Sequence, residues 1–261
     1  MNNKLLIIFL LLIFSKNIFA FTLSNSVAAA FPEDEVTINL ASHTCDNLGI
    51  TNEELLDLAM EGVDQFWNLA PISRLNIKRG EIIDVSSEFQ TGSICNNDTS
   101  SSTGVCSPNS DLKVSSNILI SCNQDSLGNN FKSSAIIAVS IPNNISNRDI
   151  NGALILINDT ADNIFKNKDR ETKIAILAHE IGHAIGLGHS KHKDSLMYYT
   201  TVPTRESLGE DDLDGIAYLY PMNQPFGTCG TISTSNNNKN LFFSLLLGVI
   251  FIVLIRRLNF K

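Results

Sequence analysis

The spacing of apolar and polar positions changes several times along the chain. Residues 34–42 (DEVTINLAS) alternate strictly and are rich in β-formers, which predicts a strand. Over residues 51–70 the period lengthens: Leu55, Ala59, Val63 and Phe66 recur at helical spacing, flanked by Leu56, Met60 and Trp67. Thr51 and Glu54 stand at capping-box spacing ahead of this stripe and Pro71 follows it, so one helix is predicted here. Residues 74–80 (RLNIKRG) read as a second strand, and 90–112 as a polar loop. Residues 112–122, 134–142 and 152–158 are three further strands, followed by a helix from Glu171 to about Leu187 and a last helix over 210–220. Strand, helix, strands and then two helices predict an α+β domain: one twisted, five-stranded mixed sheet covered by three helices.

Both ends depart from this pattern. Residues 1–20 carry a lysine, an apolar run over 5–14 and a small residue at Ala20, the pattern of a signal peptide cleaved after Ala20. The alternative is a retained anchor; the region that follows is exported in either case. The folded part is expected over 21–225, a polar linker with Cys229 over 226–240, a hydrophobic segment over 241–255 and a basic tail over 256–261. As a helix the 15 residues 241–255 would measure about 22 Å, against a bilayer core of about 30 Å. The segment is short for a span, but Arg256, Arg257 and Lys261 would hold its far end in the cytoplasm and the folded part outside.

Export changes how the five cysteines are read, because an oxidising compartment favours pairing. Cys95 and Cys106 bracket the polar loop and can pair locally. The formal charge of −8 argues against nucleic acid as a partner, since phosphate contacts need clustered Lys and Arg.

The chemistry concentrates in residues 177–190, LAHEIGHAIGLGHS. His179 and His183, four apart, project from one face of the predicted helix beside the apolar stripe Ile174, Ala178, Ile181 and Ile185. Gly186 is placed to end the helix in a left-handed conformation, Gly188 keeps the backbone loose, and His189 can swing back as a third ligand. Three protein ligands leave one position of a zinc ion open, the catalytic arrangement. Glu180 lies beside the pair as a candidate general base.

The completed pattern HExxHxxGxxH resembles the metzincin zinc metallopeptidases. Met197 in DSLMYY, eight residues after His189, is similar to their methionine turn. Within that group HEIGHAIGLGHS…SLMY looks most like the matrixins, the matrix-metalloproteinase-like enzymes, and LGEDDLDGIAYLYP (208–221) resembles their C-terminal helix. The resemblance implies the zincin fold, one catalytic zinc on His179, His183 and His189, Glu180 as base, Met197 as an apolar floor and a polypeptide substrate. It implies an exported endopeptidase, secreted or held at the cell surface and expected to be a monomer. The rival is a surface-binding protein that has kept the fold with little or no activity; the intact Glu180 argues against it.

Further expectations rest on the same resemblance. Substrate would lie along the edge strand near residues 136–141, with Ile137, Val139, Tyr198 and Tyr199 as pocket candidates. Tyr199 replaces a usual proline and matches the tyrosine that astacins and serralysins bring to the metal; the alternative is a residue of the cleft wall. The family's parallel first and third strands would bring Cys45 and Cys122 together. An acidic residue among Asp211, Asp212 and Asp214 would cap the last helix and hold the methionine turn. Asp159 and Asp162 are calcium candidates, and His192 is read as a solvated loop residue. No histidine occurs between His43 and His179, so the second, structural zinc of animal matrixins is not expected, nor is a cysteine-bearing latency segment. The end of the chain, GTCG followed by a spacer, an apolar run and basic residues, also looks like bacterial C-terminal sorting tails, which leaves processing at Cys229 and a permanent anchor both open.

Overall fold

A computed structural model describes residues 21–96, 106–200 and 205–222. Residues 223–261 separate as a second unit outside the described residues, so the readings on Cys229 and the hydrophobic segment fall outside them, as does the signal peptide. No helix among the described residues is long and apolar enough to cross a membrane.

Five strands form one mixed sheet in the order β2-β1-β3-β5-β4. The strands are β1 (Glu35–Ala41), β2 (Asn76–Ile83), β3 (Asn117–Asn123), β4 (Ala138–Ser146) and β5 (Asp149–Asn158). All neighbours pair in parallel except β4, which runs antiparallel to β5 and forms the outer edge. Three helices of ten residues or more accompany it: α1 (Asn52–Gln65), α2 (Arg170–Ala184) and α3 (Glu210–Leu219). A single helical turn lies at Glu88–Thr91.

The inner strands are apolar almost throughout because both faces of the sheet are covered. One face packs against the helices: Ile118, Ile120, Ala153, Ile155 and Ile157 join Leu55, Val63, Ile174 and Ile181 in the main core. On the other face Leu119, Leu154 and Leu156 pack with Phe89, Leu112, Val114 and Phe131 from the long connections. Just past the end of α1, Trp67 buries its ring and donates from Nε1 to the Ala178 carbonyl of α2 at 2.8 Å.

Two boundaries differ from the sequence reading. The strand expected at 112–122 begins only at Asn117, whose φ of 64° breaks the extended run; Ser110–Leu112 is instead a 3₁₀ turn. The strand expected at 134–142 starts later, at Ala138, because Ser133–Ile136 closes a turn, with the Ile136 N–H donating to the Ser133 carbonyl at 2.9 Å. It then runs past Pro142 through a bulge at Pro142–Ile145 and returns by a tight hairpin, with Asn147 at φ 59°. Pro142 and the two asparagines after it hid this second half, since they break the β-like pattern.

Two disulfides close the fold, Cys45–Cys122 and Cys95–Cys106. The first joins the segment after β1 to the end of β3, whose strands are parallel neighbours.

Candidate metal centre and substrate cleft

The site is built on α2. Asp169 caps its start, accepting the Thr172 N–H at 2.8 Å. Its end is a Schellman arrangement: Leu187 N–H donates to Gly182 O at 2.9 Å and Gly186 N–H to His183 O at 3.0 Å. Gly186 takes φ 106°, a conformation that a side chain disfavours. The chain therefore reverses at once, and His189 comes back over the helix.

The three imidazoles converge. One ring nitrogen from each of His179, His183 and His189 falls in a set lying within 4.8 Å of one another. His183 Nε2 and His189 Nε2 are 3.2 Å apart. A tetrahedral zinc with Zn–N near 2.0–2.1 Å would space its nitrogens about 3.3 Å apart, so this donor set fits the ion. Backbone carbonyls orient two rings: Nδ1 of His179 lies 2.8 Å from Leu196 O, and Nδ1 of His183 lies 2.8 Å from Leu187 O. With Nδ1 donating there, each Nε2 keeps a lone pair for a metal.

Burial keeps the rings neutral. Desolvation, with the neighbouring histidines, lowers His183 to about 3. Desolvation also dominates at His179, lowered to about 4, and it lowers His189 in the same direction. The Glu180 carboxyl is pushed up to about 8 by the same desolvation.

Beneath the rings runs the turn that carries Met197. The Met197 sulfur occupies the space that Gly182 leaves on α2, and a Cβ there would come within 2.2 Å of it. Ser190, next to His189, donates its N–H to Met197 O at 2.6 Å. From the other side the Asp212 carboxylate, at the start of α3, accepts Leu196 N–H at 2.6 Å, Met197 N–H at 3.0 Å and Gly209 N–H at 2.9 Å, and also the Ser195 hydroxyl. The ring positions and the turn are thus one connected unit, Asp212 to Leu196 to His179.

A cavity of about 260 Å³ opens beside this centre. Glu180, His179 and His189 line it together with Ile137 and Ala138 at the start of the edge strand, Ala175 and Ile176 on α2, and a wall of Leu196, Tyr198 and Tyr199. Ser140 on β4 donates its hydroxyl to Glu180 O at 2.8 Å, tying edge strand to helix.

Residues 117–221 match the family model of the matrixins, peptidase M10. Over these residues the chain is similar to the matrixins. Metalloendoproteinase 2-MMP of Arabidopsis thaliana is 42% identical over 69 residues, which cover 25% of this chain and 18% of that protein. A putative matrix metalloproteinase of Trichoplusia ni ascovirus 2c is 43% identical over 67 residues, 26% of this chain and 13% of the relative. Stromelysin-2 of Rattus norvegicus is 45% identical over 49 residues, 17% and 10% respectively. The aligned part of the chain spans less than a fifth of the length of each of these three relatives.

The fold brings most of the expected residues to one place and leaves some elsewhere. Ile137, Tyr198 and Tyr199 line the cavity. Tyr199 stands on the wall, 58% exposed, its ring 4.4 Å from that of Tyr198. Val139 does not line it: strand residues alternate, and Val139 packs on the opposite face with Leu154 and Leu156, while Ala138 and Ser140 face the helix. Gly188 is not loose either. It lies tight against the segment at Thr22–Leu23, where a Cβ would meet the Thr22 hydroxyl at 2.5 Å.

Of the three acidic candidates only Asp212 holds the turn; Asp214 is exposed, and Asp211 is buried with Oδ1 unpaired. His192 sits half-buried in the connecting loop. Asp159 is fully buried, accepting the Asn47 N–H at 2.7 Å, and Asp162 accepts the Thr160 hydroxyl at 2.9 Å. Among the described residues the histidine triad is the one group of three or more metal-type side chains that converges.

Sequence reasoning missed Arg205, Ala135 and Thr200 in the cavity lining, which carry no periodic signal. It also missed the segment at Thr22–Ser24. Thr22 donates to His189 O at 2.6 Å, and Ser24 to His183 O at 3.0 Å and Leu187 O at 2.7 Å, steadying the carbonyls around the third histidine.

Proposed function

We propose that this chain is an exported, zinc-dependent endopeptidase with His179, His183 and His189 as metal ligands and Glu180 as general base. The observation that carries the reading is the convergence of three oriented, neutral imidazoles beside Glu180 in a cleft bounded by an edge strand. Zinc, when bound, supplies a Lewis acid that brings the pKa of a water to about 7 and polarises a carbonyl.

The chain's own groups do the rest. An extended peptide pairs with the outer edge of β4, which has no neighbouring strand among the described residues, and so presents a carbonyl to the histidine centre. Glu180 takes one proton from the attacking water. The water oxygen bonds to the carbonyl carbon, the C–N bond breaks, and the proton passes to the leaving amine nitrogen. Burial raises the Glu180 pKa, which favours holding a proton between its uptake and its return to the leaving amine. Two disulfides support an oxidising, extracellular compartment, and an anchor through residues 241–255 is part of the same reading.

The test is hydrolysis of a mixed peptide library by the zinc-loaded protein, by protein stripped with a chelator, and by Glu180→Gln. Stripping should abolish cleavage and zinc should restore it. Glu180→Gln should bind zinc as before and lose about 10²–10⁴-fold in rate. Cleavage that survives the chelator, or a Glu180→Gln variant at full rate, overturns the proposal.

A further inference from the structure

We infer that the cleft selects peptides carrying a carboxylate side chain, with Arg205 as the residue that recognises it. This rests on the peptidase reading and names the substrate class for the same site.

The cavity beside Glu180 is apolar along most of its wall, through Ile137, Ala138, Ala175 and Ile176. Among the described lining residues its one arginine or lysine is Arg205, which follows the Met197 turn. That wall is separate from α2, the helix that carries Glu180. Arg74, Arg79 and Arg170 each pair with a carboxylate, at 2.6–2.9 Å. Arg205 pairs with no described Asp or Glu. Its position is nonetheless built: one guanidinium nitrogen donates to the Lys193 carbonyl, and its own carbonyl accepts from Gln65 Nε2 at 3.4 Å. It is half-buried.

A guanidinium fixed at one nitrogen and partly withdrawn from water keeps the rest of its fork for a planar acceptor. A glutamate side chain matches this lining in both parts. Its methylenes pack on the alanine and isoleucine walls, and its carboxylate meets the fork. The protein's net charge of −8 opposes acidic peptides at long range, so a preference for them has to arise locally, at this one cation. An apolar side chain would fill the same walls and offer no acceptor to the rest of the fork.

The experiment compares two peptides that differ only in Glu or Gln at the residue following the cleaved bond. Both are measured as kcat/KM on zinc-loaded wild type, and as anisotropy binding to Glu180→Gln. The wild-type ratio should favour Glu by about tenfold or more, the scale of one charge-assisted hydrogen bond. The binding ratio should follow it. Arg205→Gln should bring both ratios to about one, and Arg205→Lys should retain part of the preference, which covers the case where Arg205→Gln fails to fold. Cleavage with no Glu preference, or a preference that persists in Arg205→Lys and Arg205→Gln alike, overturns the inference and leaves the peptidase reading intact. No cleavage of either peptide by the zinc-loaded protein, together with no binding, overturns both.

Discussion

A buried carboxylate with four donors around it determines where the first histidine points. Asp212 holds Leu196 by its N–H, and Leu196 holds His179 by its carbonyl. Asp212→Asn replaces an acceptor with a group that is half donor and sets it against three backbone N–H groups. The expected cost is about 2–3 kcal/mol of stability, as for hydrogen bonds to a charged group. Zinc affinity should fall about tenfold or more, as for other groups that orient a ligand. Thermal unfolding and competitive zinc titration read the two effects separately. A lowered melting temperature with unchanged zinc affinity would show that the turn does not set the His179 ring. At this scale the ligand candidates were legible because helical spacing alone fixes i and i+4 on one face. Val139 was misplaced because Ile137 lies ahead of β4, where strand alternation does not hold, so Ile137 and Val139 do not share a face. Arg205 gave no signal, since a loop residue reaches a cavity through tertiary placement alone.

The active helix is held by its two ends, and these respond differently to conditions. At the start, the Thr172 N–H and then the Thr172 hydroxyl hold the Asp169 carboxyl below the usual range. A carboxylate with a lowered folded-state pKa stabilises the fold above the unfolded value, 3.8, and loses that contribution as pH falls through the folded one. Asp169 is exposed, so solvent and salt screen the effect. The stability difference between wild type and Asp169→Asn should therefore be present at pH 6 and shrink below pH 4; urea unfolding across that range measures it, and a difference that grows on acidification would contradict the cap. Apolar periodicity and the Gly186 stop signal made both ends of α2 readable to within a few residues. The starts of β3 and β4 were not, because Asn117 and the turn at Ser133–Ile136 break the extended runs with backbone conformations that hydrophobic periodicity does not report.

At the scale of the molecule, two disulfides among the described residues close loops of very different size. Cys45–Cys122 spans 77 residues and Cys95–Cys106 spans 11. Chain-entropy reasoning assigns about 4.5 kcal/mol to the longer loop and about 3 kcal/mol to the shorter. The pair Cys45→Ala and Cys122→Ala should accordingly lower the urea midpoint more than Cys95→Ala with Cys106→Ala. The reverse order would mean that the short loop anchors more structure than its length implies. The fold class was legible as a whole because the sheet is buried on both faces and the helices carry distinct stripes.

The bulge at Pro142–Ile145 acts as a ruler. A peptide laid along the free edge of β4 meets a regular ladder over Ala138–Ile141, then a proline with no N–H and a bent backbone. Pairing stops there for a substrate, and it stops there equally for a second copy of the chain, so the edge is too short to seed sheet-to-sheet aggregation. Substrate length should therefore matter only up to a limit. Cleavage efficiency should rise as a peptide is extended across the four regular positions and then level off, and a steady gain on further extension would place the boundary elsewhere.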